Sequence, residues 1–469
     1  MIPRLKPMVY RLAGLSVFWL VVSGIGLSQG PAKDPGVRGG PPSAGTSLSG
    51  LSTELTQLFQ AGAAKFAKTD TVAGDGLGPR MNFNSCVGCH AQPAMGGSSA
   101  RINPQFAFVN SPDHGANQLP SFITQNGPTR EARFKKLNKT TLDGGVHDLF
   151  TIAGMKGAET CKLAQPDFAT ELRKNNVIFR IPTPVFGAGL LEQIQDSTIA
   201  VNVATQSVLA ARSGLGIRGK VNIVVSGNTA TGQGSRIMGE ANANANDGTI
   251  ARFGWKAQNK SLLLFTGEAY NVEMGITNEL FQTEREEECQ LFMTPNDFSD
   301  PTQKGLDVLS DIEKFAAFMR LLAPPVPSTT EPGGAASISS GKALFTTVGC
   351  SFCHTPSLRT SKFSRIPQLR DQEAQLYSDL AIHQMGPNLD DGVKQGQAEG
   401  NEFRTAPLWG LGQRVFFLHD GRTNDLVKAI QEHRGGNGGN ASEANAVIQK
   451  FDRLSERQKR DLLNFLRSL

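Results

Sequence analysis

Four of the six cysteines stand in two copies of one pattern, Cys86-Val87-Gly88-Cys89-His90 and Cys350-Ser351-Phe352-Cys353-His354. Two thiols three positions apart on a helical turn can form thioethers with the two vinyl groups of one haem, and the adjacent histidine then offers its imidazole to the iron. A lone copy would also suit a zinc half-site or a redox dithiol. Zinc needs further paired ligands, however, and thioredoxin-like motifs lack the histidine. Two copies predict two covalently bound haem c groups, with His90 and His354 as proximal ligands. Cys161 and Cys289 remain. In an oxidising compartment two leftover thiols are expected to pair, so a Cys161–Cys289 disulfide is predicted, with two free thiols as the alternative.

Secretion follows from the N-terminus. Arg4, Lys6 and Arg11 precede an apolar stretch from Leu12 to Leu27 that ends among small residues, which reads as a signal peptide over residues 1–30. An uncleaved membrane anchor is the alternative, and periplasmic placement is expected. Residues 31–50, rich in Gly and Pro, read as a flexible linker. No other segment is apolar for long enough to span a bilayer. The signal holds three basic residues and no acidic one, so its removal leaves 44 basic against 42 acidic residues, a net +2. That near-neutral balance, with no basic run, gives no case for nucleic-acid binding.

The elements that must hold the two haem sites occur twice and in the same order. Gly62-Ala63-Ala64-Lys65-Phe66 leads to the first C-x-x-C-H, and Gly341-Lys342-Ala343-Leu344-Phe345 leads to the second. Phe179-Arg180, Pro184, Phe186-Gly187 and Gly189 match Phe403-Arg404, Pro407, Trp409-Gly410 and Gly412. Each copy closes on an amphipathic helix, with Val308, Ile312, Phe315, Met319 and Leu322 on one stripe and Leu462, Phe465, Leu466 and Leu469 on the other. Ser455 with Gln458 makes a capping box for the second. The reading is a mostly α fold of two cytochrome c-type domains, 51–322 and 336–469, joined by a Pro/Gly linker at 323–335. The first is enlarged by a β-containing insertion around 198–300, where Val221 to Val225 and Ile250 to Trp255 look like strands.

The strings GDGLGPRMNFNSCVGCH, RFGWKAQ, MGITNELF, TAPLWGLG and FLHDGR resemble the di-haem oxidoreductase family, also labelled thiol-oxidoreductase-like, whose members are classed with peroxidases. The chain is more distantly similar to bacterial di-haem cytochrome c peroxidases. The resemblance covers nearly all of residues 51–469. It implies two cytochrome c-type domains, periplasmic placement and an oxidoreductase role. Interdomain ions in the related peroxidases make Asp390-Asp391 a candidate calcium site, against a plain solvated turn.

A haem iron with two protein ligands moves electrons, whereas one with a free distal position binds small oxidants. In the second copy Met385, on a Gly/Pro loop between haem site and closing helix, is the candidate distal ligand. His383 competes, and a core methionine is the plainer alternative. In the first copy Met95 stands too close to His90 to reach the opposite face. Met155, His114 and His147 are further candidates, and an open iron is expected. Peroxide chemistry needs a group near the distal face to carry a proton. Glu192 is named for it, against a solvated helix-start glutamate. Trp255 is named as a relay between the haems, with Trp409 beside it, against packed core tryptophans. Arg180, Arg404 and Arg422 are candidates for haem propionates, because guanidinium matches carboxylate geometry.

The expected function is therefore a peroxidase-like oxidoreductase that draws electrons from a small redox protein or quinol-chain cytochrome and passes them from the second haem to the first, where peroxide or another small oxidant binds. The alternatives are a non-enzymatic electron carrier and an oxygen-activating di-haem enzyme.

Overall fold

The computed structural model describes residues 30–469 apart from 41–42, 110, 112–117, 143–144, 148–155, 224–249, 284–288 and 290–295. The expected signal peptide and the candidate ligands His114 and Met155 lie outside the described residues, as does the side chain of His147. Along the chain the helices are α1 (Thr53–Ala67), α2 (Val72–Asp75), α3 (Cys86–Cys89), α4 (Pro104–Phe108), α5 (Phe168–Arg173), α6 (Ala188–Glu192), α7 (Asp196–Arg212), α8 (Leu262–Met274), α9 (Asp311–Leu321), α10 (Ala335–Val348), α11 (Leu426–Gln431), α12 (Asn445–Asp452) and α13 (Glu456–Ser468). The strands are short: β1 (Glu131–Phe134), β2 (Val146–His147), β3 (Val177–Arg180), β4 (Asn222–Ile223), β5 (Ile250–Ala251), β6 (Leu358–Arg359), β7 (Glu373–Ala374), β8 (Ile382–Gln384) and β9 (Glu402–Arg404). No described helix is long and apolar enough to cross a membrane.

Two helix pairs organise the core, α1 with α9 and α10 with α13. The entering helix of each pair carries a glycine where the backbones cross. A Cβ on Gly62 would overlap the Lys314 carbonyl and crowd Phe318, and one on Gly341 would overlap the Asp461 carbonyl and crowd Phe465. Glycine permits that approach. Four residues on, one turn later, Phe66 packs on Phe318 with ring centroids 5.0 Å apart, and Phe345 packs on Phe465 at 5.4 Å. The same two phenylalanines reach back to His90 at 5.8 Å and His354 at 6.3 Å. A second glycine of each copy, Gly189 or Gly412, lies under the carbonyl of the closing helix's arginine, Arg320 or Arg467. The capping boxes Ser310–Glu313 and Ser455–Gln458 start the closing helices. Gly341→Ala must therefore push α10 off α13. It is expected to destabilise by about 1–3 kcal/mol in thermal melts of the two-haem protein, whereas Gly39→Ala, with nothing within 4 Å of the added atom, should leave the melt unchanged.

Strand content is more widespread than expected. β1 lies between β2 and β3 in an antiparallel sheet, and β4–β5, β6–β7 and β8–β9 form two-stranded ladders, so short sheets occur on both sides of the 198–300 segment. Helix accounts for 36% of the chain, which makes the fold mixed rather than mostly α. The reason is local: loops between the helices fold back on themselves, and antiparallel backbone pairing satisfies their polar groups. Within the insertion the ladder is β4–β5 with Ile223 opposite Ile250, and α7 and α8 supply most of the described remainder. Residues 32–469 close as one unit.

Candidate active site

Each C-x-x-C-H forms a single tight turn. α3 places Cys86 and Cys89 on one side, and a 3-10 turn over Cys350–Phe352 does the same in the second copy. Thr71 caps the short helix α2 that leads into the first turn, but the decisive contacts belong to the histidines. His90 Nδ1 lies 3.0 Å from the Gly97 carbonyl and His354 Nδ1 lies 2.9 Å from the Tyr377 carbonyl. A carbonyl can only accept, so Nδ1 carries the proton and Nε2 keeps its lone pair for a metal. Burial pushes both imidazoles down to about 4, which keeps them neutral at pH 7. All four sulfurs are unbridged, and burial pushes their thiols up, that of Cys350 to about 12.

The first turn opens on a cavity of about 1170 Å³ that runs out to solvent. Cys86, Cys89 and His90 line it, together with Glu131, Arg180, Trp255, Tyr270 and Glu273. α8 supplies Thr266, Tyr270 and Glu273 at helical spacing. The Glu273 side chain is exposed to the open cavity; the protein crowded around it, with Glu131 and Glu268 adding to the effect, pushes its carboxyl up to about 8. Arg180 gives its two terminal nitrogens to Gln395 (2.8 Å) and Asp391 (2.9 Å). Its Nε and the Ser85 hydroxyl are buried without a hydrogen-bond partner among the described residues.

The second turn opens on a cavity of about 1410 Å³, lined by Cys350, Cys353, His354, Met385, Arg404, Arg414, His419 and His433. Met385 is among the residues that line this cavity. His383 does not compete freely: its Nε2 lies 2.9 Å from Asp379 and its Nδ1 2.7 Å from Glu443, so both nitrogens are engaged. His433 ties Nδ1 to the Ala429 carbonyl at 2.8 Å, leaving Nε2 available, and His419 stacks on Phe403 with centroids 4.2 Å apart. Arg404 and Arg414 are buried at 5% and 8% exposure, and neither forms an ion pair among the described residues. Burial pushes both guanidinium groups down to about 10.

Trp255 borders both cavities and also a smaller one of about 510 Å³ between them, which it shares with Trp409, Arg404 and Arg414. Gly254 turns the chain there at φ +81°, and Trp255 Nε1 donates to the Ile181 carbonyl at 3.0 Å.

Other named residues stand elsewhere. Glu192 is fully buried and lines neither cavity. It takes two bonds from Arg320 (2.6 and 3.0 Å) and one from the Leu262 amide, and although burial opposes ionisation, Arg320 outweighs it and holds the carboxyl below its usual range. Its work is to pin α6, α8 and α9 together, and the acidic side chains that do line the first cavity are Glu131 and Glu273. Arg422 faces Asp420 and Glu432 at the surface, away from both cavities. Asp391 is no calcium ligand: Arg180 and Lys256 (3.1 Å) already neutralise its carboxylate. No cluster of three His, Cys, Asp or Glu that could hold a metal occurs among the described residues. Met95 packs on the first core. Cys161 and Cys289 are joined by a disulfide with Cα atoms 5.9 Å apart.

Paired sulfurs on one turn, an imidazole fixed in its metal-binding tautomer, and orphaned or uncompensated cationic groups in the same cavity fit a thioether-bound porphyrin with carboxylate arms, and they do so twice. That defines the class as di-haem. The family model described as "Di-haem oxidoreductase, putative peroxidase" matches residues 135–469, and the chain belongs to that family. Its cofactors are therefore haem and its chemistry is redox. The match begins beyond the first C-x-x-C-H, so the first site rests on its own geometry. Among solved structures, the hydrazine synthase of Kuenenia stuttgartiensis is similar at 12% identity and a TM-score of 0.35, with 99% of this chain and 100% of that one covered. A MauG-like protein associated with microbial copper homeostasis is similar at 18% identity and a TM-score of 0.24, covering 36% of this chain and 58% of its own. No curated protein matches the chain.

Proposed function

We propose that the chain is a periplasmic di-haem c-type oxidoreductase that reduces peroxide at the first site with electrons supplied through the second. The observation that carries this reading is the inequality of the two cavities. The first presents two acidic side chains, Glu131 and Glu273, beside Arg130, Arg180, Met274 and Met319, whereas the second presents one, Glu443, beside Met385, three imidazoles other than His354 (His383, His419 and His433) and the guanidinium groups of Arg404 and Arg414. Haem, held through Cys86, Cys89 and His90 and through Cys350, Cys353 and His354, supplies the redox-active iron at each site.

The residues then divide the work. Reducing H2O2 to two waters takes two electrons and two protons. Glu273, protonated below about pH 8, holds a proton in the cavity where the oxidant enters, and Glu131 is placed to receive or return one. Met385 would help hold the haem of the second site, and with its thioether as a ligand that site would exchange electrons without binding substrate. Arg404 and Arg414 hold the carboxylate arms there, and Arg180 Nε with Ser85 receives those of the first site. Trp255 fills the space between the cavities and is the bridge for electrons. The donor is a small redox protein or quinol-chain cytochrome.

The test is peroxide-dependent oxidation of a reduced small cytochrome, together with EPR of the oxidised and half-reduced protein. Turnover is expected, with one iron low-spin throughout and the other accessible to small ligands. Two low-spin irons inert to peroxide in every redox state would return the chain to the electron-carrier alternative, and turnover on oxygen alone would favour the oxygen-activating one.

A further inference from the structure

Within the motif RFGWKAQ, Lys256 lines neither cavity. Lys256 is fully buried, with 0% exposure of its side chain. Its Nζ donates to the carbonyls of Glu399 (2.8 Å), Gly400 (2.9 Å) and Glu402 (3.0 Å), and lies 3.1 Å from Asp391 Oδ1. It also sits 4.0 Å from the centre of the Phe403 ring, a wall of the second cavity. Asp391 uses its other oxygen on Arg180, a wall of the first. One buried ammonium is thus tied to both cavities at once.

The neighbouring residues are held by further contacts to the same region. Arg404 donates its backbone N–H to the Trp255 carbonyl (2.9 Å) and its Nε to the Gly254 carbonyl (2.8 Å). Asn222 bonds the Lys256 carbonyl at 2.9 Å. Burying a lysine costs several kcal/mol unless its charge is matched, and a buried ion pair adds little to stability over well-packed apolar side chains. Its best-attested use is to specify one arrangement among several. An apolar residue could slide along the 399–403 segment; an ammonium that needs three carbonyls and one carboxylate cannot.

We propose that Lys256 is a positioning residue: by engaging Asp391 and the 399–402 carbonyls together, it fixes Trp255 in the gap between the two cavities and so sets how fast electrons cross between the sites. The inference rests on the two-site reading above. The test is Lys256→Met in the two-haem protein, which keeps the bulk of the side chain and removes the charge. One site is reduced by flash photolysis with a small donor, and the electron's re-equilibration is followed through the two haem spectra. A rate about tenfold slower is expected, equivalent to about 1.4 kcal/mol in the barrier. Two haems per chain and the spin state of each iron should stay unchanged, and Lys256→Arg should recover most of the rate. A wild-type rate in Lys256→Met overturns the inference alone, as does a loss of rate accompanied by a changed spin state, which would mean that a cavity had collapsed. If Lys256→Met does not mature with two haems, Asp391→Asn takes its place under the same criteria, slower transfer supporting the inference and unchanged transfer overturning it. A wild-type protein that never exchanges electrons between its sites sinks the underlying functional reading instead.

Discussion

Glu273→Gln is expected to lower peroxide-dependent kcat/KM by about 10²–10⁴-fold, the usual worth of a positioned acid–base group, while both haems remain bound. The amide keeps the size and the hydrogen-bonding capacity of the carboxyl but cannot release a proton. Since the crowded cavity wall, Glu131 and Glu268 push the Glu273 carboxyl up to about 8, the wild-type rate should hold through neutral pH and fall as the proton is lost above about pH 8. The variant should lose that alkaline limb along with most of its rate. The same shift has a stability consequence of fixed sign. A carboxyl whose pKa is raised on folding contributes its stabilisation in full below the unfolded value of about 4.5, and loses it as pH rises through about 8. Glu273→Gln should therefore be the more stable of the two proteins above pH 8. A pH–rate profile beside thermal melts at pH 6 and 9 checks both points. A variant with wild-type kcat/KM, or one that keeps the alkaline limb, would assign the proton to Glu131 or to water.

How much of this was legible in the sequence depended on whether the signal was local. The thioether chemistry constrains five consecutive residues, so Cys86 to His90 and Cys350 to His354 announce themselves. The duplicated glycines were legible because a helix crossing tolerates no side chain, and the two copies repeat the spacing from Gly62 to Phe66 in Gly341 to Phe345. The Ser455–Gln458 capping box is likewise a four-residue signal. Glu192 misled because its partner is remote: nothing near it in the chain announces Arg320, which stands 128 residues away. Glu131 and Glu273 meet across 142 positions, on a strand and a helix, and neither has a local motif. The short sheets outside the insertion were missed because ladders of two to four residues carry too little alternation to read. His419 and Arg414 lie in loops, and their approach to the second cavity follows from long-range packing.

Replacing Cys350 and Cys353 with Ala is expected to leave one covalent haem where the wild-type chain carries two, as read by the mass of the denatured protein after expression with a c-type maturation system. The consequence should extend beyond stoichiometry. Arg404 and Arg414 are buried beside each other in the second cavity; burial lowers both, Arg414 adds to the lowering of Arg404, and Asp379 offsets it only in part. Both stay charged at neutral pH, so there these two cannot escape by deprotonation. Each therefore needs an anionic partner, and the carboxylate arms of a bound porphyrin are the partners the cavity is shaped to admit. Leaving a buried charge uncompensated costs about 3–5 kcal/mol. The one-haem variant should accordingly melt earlier through the α10–α13 half, while the first site keeps its spectrum. Adding Arg414→Met to the cysteine-free variant should recover part of that loss, and in the two-haem protein the same substitution should destabilise. That reversal of sign separates a cofactor-paired arginine from one that merely packs. If Arg414→Met had the same sign in both backgrounds, the buried guanidinium would have some partner other than the cofactor, and the assignment of the second cavity's cationic wall would have to be given up.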